Sequence, residues 1–129
     1  MIGLLLITHD TLGESLIQCV SHVLNKRPEQ LLQLGLTAGD DPADLLPLAK
    51  KLLKLVDKGD GVLLLTDIYG ASPSNLAAKL LKPGKVEGLA GVNLPMLLRA
   101  VNYRQKGMTE LLKRAVGGGC DGVVNMLAH

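Results

Sequence analysis

The chain has 129 residues, of which 47% are hydrophobic and 2% aromatic, with neither Phe nor Trp. That fits one domain spanning residues 1–129, with a core of Leu, Val, Ile and Ala and few stacking platforms for bases. A formal net charge of +2, from 14 basic and 12 acidic residues, is too balanced for a nucleic-acid or anionic-membrane binder. Ile2 to Ile7 is a continuous apolar run of strand length, the pattern of a strand buried on both faces. Thr11 to Asn25 carries Leu12, Leu16, Ile17, Val20, Val23 and Leu24 at helical spacing, and Arg27-Pro28 ends it. Leu31 to Leu36 is a second strand. Asp41 as N-cap and Pro42 at the first helical position open a helix that runs to about Asp57.

Val62 to Thr66 reads as a third buried strand, and Ile68 to Ser72 as a glycine-containing loop. Ser72-Pro73 starts a helix that ends before Pro83-Gly84, and Val86 to Val92 is a looser fourth strand. Pro95 to Lys106 and Thr109 to Val116 are helical; Gly117-Gly118-Gly119 is expected to break the chain before a short edge strand within Gly122 to Leu127. No run approaches the roughly 18 apolar residues of a spanning helix. The apolar start is too short for a secretory leader, so the chain reads as soluble and cytoplasmic. Cys19 and Cys120 lie far apart with no metal-type cluster about them, and they read as reduced, partly buried thiols.

Strand and helix alternate, which implies an α/β fold whose parallel sheet is covered on both faces. In such folds ligands collect at the carboxyl ends of the strands. There the first strand offers Thr8-His9-Asp10 and the third offers Thr66-Asp67, followed by Ser72-Pro73-Ser74-Asn75 at a helix start. If the first and third strands are neighbours, His9 and Asp67 can touch. Taken singly these are ordinary residues: a surface histidine, a loop acid and a capping serine. Together they could share one chemistry, that of a nucleophile toward phosphorus. An unperturbed imidazole, with a pKa of about 6.5, is largely neutral near pH 7 and is a good nucleophile. A carboxylate on one ring nitrogen fixes the tautomer and leaves the other lone pair pointing outward. Free N–H groups at the helix start then meet the phosphoryl oxygens. Pro73 has no N–H, which leaves Ser74, Asn75 and the Ser72 hydroxyl as donors.

The run Thr8-His9, then Asp67-Ile68-Tyr69-Gly70-Ala71-Ser72-Pro73-Ser74-Asn75, then Ala90-Gly91-Val92-Asn93-Leu94-Pro95-Met96-Leu97 resembles the enzyme IIA domain of the mannose family of the phosphoenolpyruvate-dependent sugar phosphotransferase system. The resemblance covers essentially the whole chain. It implies a flavodoxin-like three-layer sandwich, a mostly parallel sheet with an antiparallel C-terminal edge strand, and a homodimer. It also implies that His9 receives a phosphoryl group from the carrier protein HPr and passes it to a IIB domain. In that comparison Asp67 matches the carboxylate beside the histidine and Ser72 the hydroxyl at the helix start. Tyr69 stands where the family often has Trp or Phe, and Gly70-Ala71 where it often has two glycines.

A IIB partner is expected on a separate chain, with the membrane reached only through IIB and the membrane components. No cofactor or metal is called for: the further His and carboxylate ligands of a metal site are absent from the pattern. His22, within the first helix, and the terminal His129 read as bystanders. A regulatory module, switched by phosphorylation of His9 but feeding no transporter, would carry the same residues.

Overall fold

The computed structural model describes residues 1–129. Two strands are apolar and buried nearly throughout, and they form the centre of the sheet. These are β1 (Gly3–His9) and β3 (Val62–Thr66). They are flanked by β2 (Leu31–Leu36) and β4 (Val86–Ala90), whose burial is interrupted, as suits edge positions. The order is β2-β1-β3-β4 and every pairing is parallel. Five helices complete the chain: α1 (Leu12–Leu24), α2 (Pro42–Val56), α3 (Ser72–Ala78), α4 (Leu94–Tyr103) and α5 (Met108–Asp121).

The two-residue period of a strand divides the core into two layers. Leu4, Leu6, Leu63 and Leu65 point into one, with Ile17 and Val20 of α1, Leu97 and Ala100 of α4, and Leu111 and Ala115 of α5. Leu5, Ile7 and Leu64 point into the other, with Ala49 of α2 and Leu76 and Ala77 of α3. Each fully buried Leu or Ile contributes roughly 1.5–3 kcal/mol. A core of this kind holds the strand ends in fixed relation. By the same alternation His9 has the parity of Leu5 and Ile7, the layer that carries α3.

Helix starts follow the sequence closely. The Asp41 side chain accepts the Ala43 N–H at 2.9 Å and Pro42 opens α2. Asn93 Oδ1 accepts the Met96 N–H at 2.9 Å at the start of α4, and its Nδ2 donates to the Gly119 carbonyl at 3.1 Å. At the opposite end of the sheet Arg104 is buried at 4% exposure. Its Nη1 donates to the Gln30 carbonyl at 3.2 Å while its own carbonyl accepts the Ile2 N–H at 3.0 Å. Arg104 thereby ties the end of α4 to the beginnings of β1 and β2.

The C-terminal segment differs from the sequence expectation. Gly117, Gly118 and Gly119 do not break the chain; they lie inside α5. A Cβ on Gly118 would stand 2.7 Å from Arg99 Cβ, and one on Gly119 would stand 2.9 Å from Met96 Cε. Close packing of α5 on α4 therefore outweighs the poor helix propensity of glycine. No antiparallel edge strand forms from Gly122 to Leu127; the sheet has four strands, all parallel. The flavodoxin-like α/β arrangement holds without it. Both cysteines are free and exposed, not partly buried.

Candidate functional site

β1 and β3 are hydrogen-bonded neighbours, with Ile7 opposite Thr66. One step further along, the chain leaves both strands at the same edge, and His9 meets Asp67. The His9 backbone N–H donates to Asp67 Oδ2 at 2.9 Å, and His9 Nδ1 lies 2.8 Å from the same oxygen. The other carboxylate oxygen, Oδ1, accepts the Ile68 N–H at 3.0 Å. Asp67 is thus fixed from three directions, and it fixes the ring in turn. The His9 side chain is 47% exposed whereas that of Asp67 is 12% exposed. The carboxylate is the sheltered partner and the ring the accessible one.

Burial of Asp67 works to raise its pKa, but the hydrogen bonds from the His9 amide and ring and from its own backbone, with the charge of the ring, outweigh it. The net effect holds the carboxyl below the usual carboxylate range. A carboxylate bonded to Nδ1 makes that nitrogen the proton carrier and leaves Nε2 as the lone-pair nitrogen. Nε2 makes no bond within the chain.

Thr8 and Asp10 shape the turn. The buried Thr8 Oγ1 accepts the Gly13 N–H at 2.9 Å, bracing the first turn of α1 against β1. Asp10 follows His9 with φ of +48°, in the left-handed region. Neither role follows from hydrophobic pattern; only the polar residues ending an apolar run hinted at a special turn.

α3 begins with Ser72 and packs over β1. Ser72 is exposed, Ser74 half-buried and Asn75 exposed. The Asn75 N–H donates to the Ala71 carbonyl at 2.9 Å, so this backbone donor is engaged within the helix and only the carboxamide of Asn75 remains available. The amides of Ser72 and Ser74 have no such partner. The segments that leave β1 and β3 also carry exposed apolar side chains: Leu12 at 41%, Ile68 at 57% and Tyr69 at 86%. His22 lies on the exposed surface of α1, away from the strand ends.

The family described as PTS system fructose IIA component matches residues 3–116. The PTS system mannose-specific EIIAB component of Escherichia coli is 30% identical over 125 residues, which is 95% of this chain and 38% of that protein. The chain therefore spans little more than a third of the length of this curated relative. Among solved structures, phosphotransferase system component EIIA from Streptococcus agalactiae aligns over 100% of both chains with a TM-score of 0.88 at 21% identity. A mannose/sorbose specific IIA subunit from Enterococcus faecalis covers 96% of this chain and 93% of its own, with a TM-score of 0.84 at 21% identity. At those identities the structures speak for the fold, and the sequence match carries the family. The chain belongs to the mannose-type enzyme IIA family of the sugar phosphotransferase system.

Proposed function

We propose that this chain is a phosphoryl carrier that takes a phosphoryl group from phospho-HPr on His9 Nε2 and passes it to a IIB domain on another chain. The observation that carries the reading is the 2.8 Å contact between His9 Nδ1 and Asp67 Oδ2 beneath a half-exposed ring. The Nε2 lone pair forms a bond to phosphorus as the bond to the donor's ring nitrogen breaks, and that electron pair returns to the donor. Positive charge created on the His9 ring is balanced by Asp67 through the Nδ1 proton. The Ser72 hydroxyl and the free amides of Ser72 and Ser74 meet the phosphoryl oxygens, with the exposed Asn75 carboxamide at their flank. The carrier needs no metal or cofactor for this exchange between two imidazoles.

The donor is read as a protein because the segments that leave β1 and β3 carry exposed Leu12, Ile68 and Tyr69, apolar surface of the kind that marks protein contacts. Such a carrier works in the cytoplasm as one domain, reaching the membrane only through IIB. It is also read as a homodimer. Val123, Met126 and Leu127 are exposed at 78%, 90% and 99%, and no strand of the chain pairs with the outer edge of β4, where only Val86 is engaged, by the backbone of Lys82. Light scattering at micromolar concentration is expected to give twice the chain mass, and a monomer mass would refute the dimer.

The functional test is incubation with phosphoenolpyruvate, enzyme I and HPr, followed by mass spectrometry under non-acidic conditions. One phosphoryl group is expected on His9, and none on His9→Ala. Label on His22 or His129, or label retained in His9→Ala, would refute the reading. Loss of the label to an added IIB domain supports transport coupling; phospho-His9 that passes to no IIB domain would leave a regulatory role.

A further inference from the structure

Asp10 is an acidic residue set directly beside the acceptor histidine, and the fold gives its carboxylate nothing to hold. The other loop aspartates all accept hydrogen bonds: Asp40 from Thr37, Asp41 from Ala43, Asp57 from Gly59, Asp60 from the chain's own ammonium group and Asp67 from His9. Asp10 accepts none and forms no ion pair, and it does not cap α1, whose N-cap is Thr11.

Its backbone, by contrast, is held tightly. The Asp10 N–H donates to the Leu36 carbonyl at 2.8 Å, and its carbonyl oxygen presses on Gly35, where any Cβ would collide with it. With φ of +48° the residue occupies a region where Gly is unstrained and where Asp and Asn are tolerated better than other side chains. Glycine or asparagine would meet the backbone requirement as well as aspartate. What aspartate adds is a negative charge one residue from His9, on backbone held to β2, whereas the carboxylate that bonds the ring comes from the end of β3.

We propose that Asp10 is a tuning residue that lowers the occupancy of phospho-His9 by electrostatic repulsion and so biases the chain toward giving the phosphoryl group away. This rests on the reading of His9 as the acceptor. The neutral ring gains a group carrying nearly two negative charges. The charge of Asp67 is balanced by the Nδ1 proton it accepts, whereas that of Asp10 is balanced by nothing in the chain. At the separation of neighbouring side chains in a wet site, the repulsion amounts to about a threefold change in the transfer equilibrium. It fades as salt screens it.

The test mixes purified phospho-HPr with an equal amount of wild type, Asp10→Asn or Asp10→Gly, without a regenerating system, and measures the phosphorylated fraction of each protein at equilibrium. Asp10→Asn keeps the backbone preference and removes the charge. It is expected to shift the equilibrium about threefold toward phospho-His9 at low salt, the shift vanishing near 1 M, where the Debye length is about 3 Å. Asp10→Gly is expected to show the same shift together with a higher melting temperature, because the left-handed turn is relieved. A wild-type equilibrium in Asp10→Asn would overturn the proposal, as would a shift confined to Asp10→Gly, which would trace the effect to the backbone. In either case a labelled wild type leaves the role of His9 standing; an unlabelled wild type would overturn both.

Discussion

Each end of the sheet carries one residue that ties neighbouring elements together, and the two contacts have opposite characters. At the amino end Arg104 is 4% exposed and bonds a backbone carbonyl. Burial lowers its pKa, partly offset by the charge of Glu29. At the carboxyl end the ring of His9 is 47% exposed and its partner is a carboxylate that the surrounding N–H groups hold ionised. Both contacts anchor strands, but only the second leaves a half-exposed ring with one nitrogen that bonds nothing in the chain. On the proposed function, exposure of one partner, rather than the presence of a polar pair, separates the reactive contact from the structural clamp.

Substitutions at the two ends should separate rate from stability. The largest effect is expected from His9→Ala, which should abolish phosphoryl acceptance with little change in melting temperature, since the ring is half in solvent. Asp67→Asn should keep the shape but present an N–H₂ to the ring, favouring the tautomer with a protonated Nε2. Transfer from phospho-HPr should slow by at least about tenfold, at a stability cost of about 1 kcal/mol. A wild-type rate would show that His9 works without its carboxylate. The stability difference should also depend on pH. The folded pKa of Asp67 lies below its ordinary value of 3.8, so its contribution is complete above that value and is lost as pH falls through the folded pKa. Denaturation of wild type and Asp67→Asn should therefore converge as the pH drops below about 4.

Arg104→Met should do the reverse of Asp67→Asn, lowering stability by about 1–2 kcal/mol while leaving the transfer rate unchanged. A slowed transfer in that variant would mean that the two ends of the sheet are coupled. Smallest of all should be Asp60→Asn. Its carboxylate pairs with the Met1 ammonium at 2.6 Å but is 62% exposed, so the loss should stay within about 0.5 kcal/mol with no change in rate.

The central strands were legible because every residue from Val62 to Thr66 is buried, and a strand buried on both faces writes itself as an unbroken apolar run. The start of α2 was equally plain, since Asp41-Pro42 is both the sequence signal and the observed cap. His9 and Asp67 could be nominated from their places after such runs, but their contact depends on β1 lying next to β3, which no local pattern encodes. Gly117 to Gly119 misled for a related reason. Taken alone, three glycines look like a break, and only the presence of α4 against Gly118 and Gly119 explains why the segment stays helical. The left-handed turn at Asp10 and the engaged amide of Asn75 are likewise set by backbone geometry that residue type only loosely constrains.

The glycine seam between α4 and α5 also constrains the C-terminal segment. Because bare backbone of α5 lies against Pro95, Met96 and Arg99, and Asn93 bonds the Gly119 carbonyl, the last turn of α5 has little freedom to swing. Residues 122–129 leave from an anchored root, and Val123, Met126 and Leu127 are presented from a defined point on the surface. Much of the conformational entropy that a loosely tethered segment would lose on association is therefore already lost on folding. A bulkier residue at Gly118 would pry the root away from α4, and in the proposed homodimer the cost would appear in the concentration at which chains associate before it appeared in the proposed transfer at His9.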